Sequence, residues 1–141
     1  IGVERRAAPD FTKESLNGES VSLSGLRGKV IVVDFWTSWC GPCRREAPTL
    51  AQVYREYAQR DVEFIGVAIW DDRDRVEDHV QEYDVPYLNM IDEKGRIAID
   101  YGVAGIPEKF FINANGDVVR KFVGPMDAES LRKALDALLD A

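Results

Sequence analysis

The period of the apolar residues changes along the chain, and each change marks an element. The run that begins Val30-Ile31-Val32-Val33-Asp34-Phe35-Trp36 and ends at Trp39 is β-branched and aromatic. It is too short for a membrane span and suits a buried strand. Residues 41–60 then read as a helix, with Leu50, Val53, Tyr54 and Tyr57 at helical spacing on its buried face. Residues 62–70 predict a second buried strand and residues 71–75 a charged turn. Val76, Val80 and Tyr83 mark one face of a helix ending near Pro86, which makes a strand-helix-strand unit of the kind found in sheets with parallel members. Residues 87–91 are a short strand, 92–95 a turn, and 96–101 a short helical or irregular link. Residues 109–113 and 117–122 flank Asn115-Gly116, the turn chemistry of an antiparallel hairpin. Asp127 caps a final helix whose Leu131, Leu135 and Leu138 face the sheet. Upstream, residues 11–16 and 21–23 flank Asn17-Gly18 as a shorter hairpin. Residues 1–8 carry no period and predict a linker or frayed end.

Composition narrows this picture. With 141 residues, 45% of them hydrophobic, the chain suits one domain with a real core, expected over residues 9–141. The 25 acidic residues outweigh 18 basic ones, for a net charge of -7, which argues against nucleic acid or an anionic membrane surface as partner. The first residue is Ile1, so a trimmed or mature form is expected, with any signal or anchor left out.

The chemistry gathers where strand gives way to helix. Both cysteines of the protein lie there, as Cys40-Gly41-Pro42-Cys43. Cys40 falls at or just before the first helical turn, where unsatisfied backbone N–H groups and the positive end of the helix dipole stabilise a thiolate. Thiols of a C-x-x-C pair so placed reach pKa values of roughly 3.5 to 7.5, against about 8.5 for a free thiol. Cys40 is the expected attacking thiol. A zinc site would need another Cys or His pair, and the chain has no third cysteine and a single histidine, His79. A purely structural disulfide would close too short a loop to remove much unfolded-state entropy. Asp34 interrupts an apolar strand, where an ionised carboxylate is costly; it either meets a solvated pocket or water, or keeps its proton. Glu46 lies three residues beyond Cys43, on its side of the helix, or else faces solvent beside Arg44 and Arg45. His79, next to Asp78, reads as a solvated surface residue without a role.

Trp39-Cys40-Gly41-Pro42-Cys43 after a hydrophobic strand, with Pro48 five residues further on, resembles the thioredoxin superfamily. Pro9-Asp10-Phe11, then Gly18-x-x-Val21-Ser22-Leu23, Leu26-x-Gly28-Lys29 and Gly105-Ile106-Pro107-Glu108, is similar to its extracytoplasmic TlpA, ResA and CcmG (DsbE) branch. The resemblance implies a thioredoxin-like α/β fold: a central mixed sheet flanked by helices, with an N-terminal hairpin extension and a βα insertion. It implies a thiol:disulfide oxidoreductase with a redox-active Cys40–Cys43 disulfide, Cys43 resolving, Asp34 and Glu46 managing protons, and neither metal nor cofactor.

Trp39, Gly41, Pro42, Ile106, Pro107 and Glu108 would seat the partner, beside a cis Ile106–Pro107 bond. Negative charge from Asp34, Glu46 and Glu108 would disfavour the thiolate and make the protein a reductant. The partners implied are a disulfide-bearing protein such as an apocytochrome c and a membrane thiol donor of the DsbD/CcdA type, reached from a membrane-anchored, extracytoplasmic monomer. One departure stands out. The lysine that thioredoxins commonly place near the buried acid from the next strand is missing from residues 62–70. A general thioredoxin, an oxidant of exported proteins, and a non-catalytic binding module with this fold remain the alternatives.

Overall fold

A computed structural model describes residues 6–141 of the chain. The elements are β1 (Arg6–Ala7), β2 (Thr12–Glu14), β3 (Ser20–Ser22), β4 (Val30–Trp36), α1 (Gly41–Tyr57), β5 (Val62–Ala68) and α2 (Arg73–Glu82). They continue with β6 (Leu88–Ile91), α3 (Arg96–Tyr101), β7 (Glu108–Ile112), β8 (Asp117–Val123) and α4 (Ala128–Leu139). Six strands form one sheet in the order β1-β8-β7-β4-β5-β6, while β2 and β3 pair as a separate hairpin. β4 lies parallel to β5 and antiparallel to β7, which makes the sheet mixed, with β4 inside it. This is the thioredoxin-like α/β fold.

Alternation along β4 sorts the core into two layers. Ile31, Val33 and Phe35 pack with Ile65, Tyr101 and Phe110, on the face covered by α3 and the hairpin. Val30 and Val32 point the other way, to Leu50, Val53, Phe64 and Leu131 under α1 and α4. Asp34 and Trp36 share this second parity, so the odd carboxylate of the strand faces the helix that carries the cysteines. Trp36 packs there with Cys40, Cys43, Ala68, Val76 and Ile91.

Two expectations change. Residues 6–7 are no frayed end: Arg6 pairs with Val118 and Ala7 with Asp117 at the sheet edge, while residues 1–5 lie outside the described residues. The charged turn is shorter than residues 71–75, because Asp72 accepts from the Arg75 N–H at 3.1 Å and caps α2.

The position of Trp36 depends on a gap beside it. Its indole N–H donates to Asn89 Oδ1 at 3.0 Å across β5, over Gly66. A Cβ on Gly66 would collide with the Asn89 amide and press on the indole nitrogen. Gly66→Ala should therefore cost about 2–4 kcal/mol, from overpacking and the lost buried hydrogen bond. Denaturant unfolding measures it; a loss under about 0.5 kcal/mol would show that the gap is dispensable.

Candidate active site

The loop between β4 and α1 is fixed by Trp70 and Asp71, just past the end of β5. Asp71 accepts from the Ser38 N–H at 2.6 Å and from the Ser38 hydroxyl at 2.9 Å. The Trp39 indole donates to the Trp70 carbonyl at 2.9 Å and remains half exposed. Cys40 is the N-cap of α1, and its sulfur accepts from the Cys43 N–H at 3.2 Å. A thiol in this place draws on an N–H the helix leaves free. Cys40 and Cys43 are joined as a disulfide, with Gly41 and Pro42 opening the helix between them. Both are largely covered in this form, Cys40 at 8% exposure and Cys43 at 4%.

Behind the pair lies a buried cluster of three charges. Asp34 is 5% exposed, Glu46 3% and Lys109 0%. Lys109 Nζ is 2.6 Å from Glu46 Oε2 and 3.5 Å from Asp34 Oδ1, and it donates to the Gly124 carbonyl at 3.3 Å. Glu46 Oε2 also accepts from the Met126 N–H at 2.6 Å. Glu46 is therefore not a solvent-facing partner of Arg44 or Arg45. One ammonium cannot neutralise two carboxylates, and the closer contact belongs to Glu46. Burial pushes the Asp34 carboxyl up to about 7 against the pull of Lys109, with the Glu46 charge adding to the rise. Burial also raises Glu46, and Lys109 opposes it. Asp34 and Cys43 border the same cavity of about 10 Å³, room for about one water molecule. The carboxyl and the second cysteine thus share one water-sized space.

Lys109 is the functional residue that sequence reading missed. The search followed residues 62–70, yet across β4 and β7 the register sets Lys109 directly opposite Asp34. All five positions of Glu108-Lys109-Phe110-Phe111-Ile112 are buried, and a lysine beside the apolar run Phe110-Phe111-Ile112 was the available signal.

Glu108 is corrected. It is fully buried: Oε1 accepts from the Ala104 and Gly105 N–H groups at 3.1 and 3.2 Å, and Oε2 lies 3.4 Å from Lys121 Nζ. It holds the loop that carries Ile106 and Pro107 and has no surface to offer a partner. The Ile106–Pro107 bond is cis, Pro107 is buried, and half-buried Ile106 packs against the cluster containing both cysteines. His79 is corrected too. It is 7% exposed, with its ring 4.3 Å from Trp36 and 4.7 Å from Tyr83, because it shares the inward face of α2 with Val76 and Tyr83.

A family model described as Redoxin matches residues 4–139. The chain belongs to the redoxin family. Thiol-disulfide oxidoreductase ResA of Bacillus cereus is 32% identical over 133 residues, covering 94% of this chain and 77% of that protein. ResA of Bacillus subtilis is 33% identical over 119 residues, 84% of this chain and 66% of the relative. Among solved structures, a thioredoxin family thiol:disulfide interchange protein from Chlorobium tepidum superposes with a TM-score of 0.90 at 27% identity, covering 97% of this chain and 98% of that one. A secreted Mycobacterium tuberculosis disulfide oxidoreductase homologous to E. coli DsbE gives 0.83 at 31% identity, over 91% and 96%. This redoxin is a thiol:disulfide oxidoreductase of the TlpA/ResA/DsbE-like branch of the thioredoxin superfamily.

The charge cluster sets a pH dependence for the redoxin. Because the folded value for Asp34 lies above its ordinary 3.8, its contribution to stability is full below about pH 4 and is lost as pH rises through 7. Lys109→Met raises both carboxyls further and leaves them without a counter-charge. We expect a loss of about 3–5 kcal/mol near pH 8 that shrinks towards pH 5, measured by denaturant unfolding. Equal losses at the two pH values would contradict the assignment of these charges.

Proposed function

We propose that this protein reduces the disulfides of other proteins outside the cytoplasm, with an apocytochrome c before haem attachment as its substrate and a membrane thiol donor of the DsbD/CcdA type restoring its dithiol. The observation that carries the direction is how Lys109 is engaged. It serves Glu46, Asp34 and the Gly124 carbonyl, so Cys40 sulfur is left with the Cys43 N–H and the helix end. A strong oxidant needs a strongly stabilised thiolate in its reduced form; modest stabilisation beside a surplus carboxylate favours the disulfide and makes the dithiol reducing. The substrate class follows from the likeness of Gly105-Ile106-Pro107-Glu108 to the cytochrome-maturation branch. The extracytoplasmic setting is supported by the relative described as secreted.

The reaction runs in two displacements. Cys40 thiolate attacks one sulfur of the partner's disulfide, and the other sulfur leaves as a thiolate that takes a proton from water. Cys43 then gives its proton to Asp34 and attacks Cys40 sulfur. The mixed disulfide breaks, the partner's second thiolate departs, and two electrons have passed from the cysteine pair to the partner. Trp39, Gly41, Pro42 and Ile106 form the surface against which the partner lies, and Pro107 shapes it from beneath.

The test is equilibration with a peptide carrying an oxidised Cys-x-x-Cys-His, the attachment motif of c-type haem. We expect the peptide dithiol to accumulate together with the Cys40–Cys43 disulfide, and Cys43→Ser to stall as a covalent adduct on Cys40. Net oxidation of the peptide dithiol by the disulfide form would make the protein an oxidant. Rapid reduction of insulin with the haem-motif peptide left intact would favour a general thioredoxin.

A further inference from the structure

Resolution leaves a proton on a carboxyl with no direct way out. Asp34 is buried under α1 with Lys109 beside it, and every turnover deposits the Cys43 proton there. With a midpoint of about 7, the carboxyl also begins many turnovers near neutrality already protonated, and that proton has to reach bulk water before Cys43 can give up its own.

The small cavity bordered by Asp34 and Cys43 has His79, Tyr87 and Asn89 among its other walls. Between α2 and the start of α1 an open groove of about 490 Å³ is bordered by His79 again, now with Trp39, Arg44, Arg75, Asp78 and Glu82. Among the described residues His79 is the one that lines both. Tyr87 and Asn89 border a different surface groove, but burial holds the Tyr87 phenol well above its ordinary value of 10, and an amide does not titrate. The imidazole is more than nine-tenths buried, and among the described residues its Nδ1 has no hydrogen-bond partner. A buried ring nitrogen is ordinarily satisfied. One left open at the wall of a water-sized cavity is available to a proton carrier.

We infer that His79 is the proton port of this oxidoreductase, carrying the proton left on Asp34 out to the groove of Arg44, Asp78 and Glu82. The inference rests on Asp34 accepting the Cys43 proton. The Asp34 carboxyl gives its proton through the cavity to the neutral imidazole, and the imidazolium releases it to water in the groove. Asp34 ends as carboxylate, His79 ends neutral, and no electrons move in this step. Burial lowers His79 from its ordinary 6.5, so the ring is neutral and ready to accept at pH 7. The charges that face it are Glu82 and Asp78 from its own helix, Arg44 from α1 and Asp71 from the loop after β5; Trp36 and Tyr83 supply its flat contacts.

His79→Phe keeps the stacking and removes the proton carrier. Two quantities are read between about pH 6 and 8: the single-turnover rate at which partner leaves the Cys40 adduct, and the equilibrium constant for thiol–disulfide exchange. We expect release to slow roughly tenfold near pH 6, where Asp34 starts protonated and has to be emptied first, and little near pH 8, where it starts as the carboxylate, with the equilibrium constant unchanged. His79→Ala should slow equally and recover when imidazole is added. Wild-type release rates in His79→Phe would overturn the inference. So would rate and equilibrium constant falling together without rescue by imidazole, which assigns His79 to packing. Asp34→Asn isolates the underlying reading: if that variant releases partner at the wild-type rate, it is the role of Asp34 that fails.

Discussion

The ammonium of Lys109, held between two buried carboxylates, is the interaction on which the rest depends. It joins β7, which supplies it, to β4 through Asp34, to α1 through Glu46, and to the segment before α4 through the Gly124 carbonyl. The helix bearing the cysteines is thereby tied to the central strand of the sheet. Taking three ionisable groups out of water is expensive, and each would be ruinous without the others. The charge count has a chemical consequence: with two carboxylates for one cation, one of them titrates near neutrality, and the longer contact to Lys109 makes that one Asp34. The same imbalance that weakens the fold at high pH provides the base behind Cys43.

The thiol end is arranged with equal economy. Cys40 caps α1 with its own sulfur, so its anionic form is stabilised by backbone already present. Glu108, which as a third negative charge would have strengthened the case for a reductant, is neutralised by Lys121 and by two backbone donors. The proposed direction of electron flow therefore rests on Asp34 and Glu46 and on how they share Lys109.

Most of the fold was legible because its signals are local. The apolar run of β4, the Asn-Gly turns and the Asp127 cap each name an element from a few neighbouring residues, and the Cys-Gly-Pro-Cys dipeptide spacing names the chemistry. What escaped was set by pairing between distant segments. Lys109 meets Asp34 only through the antiparallel register of β4 and β7, whereas the strand searched for a lysine places Gly66 at that level. Arg6 and Ala7 are a strand only because β8 offers an edge. His79 looks polar beside Asp78 in sequence, yet α2 turns its ring onto Trp36. Glu108 reads as a site residue from its motif, and only the closure of the loop over it reveals that it faces inward.

The central claim is that Asp34 titrates near neutrality behind an intact cysteine pair, so that it can both take and release a proton. Carboxyl carbon NMR of the disulfide form, followed across pH with Asp34→Asn to assign the signal, measures this directly. The account predicts a midpoint near 7 for Asp34, far above its ordinary 3.8. A midpoint below about 5 would mean that Lys109 satisfies both carboxylates, and Asp34 would be too weak a base to take the Cys43 proton.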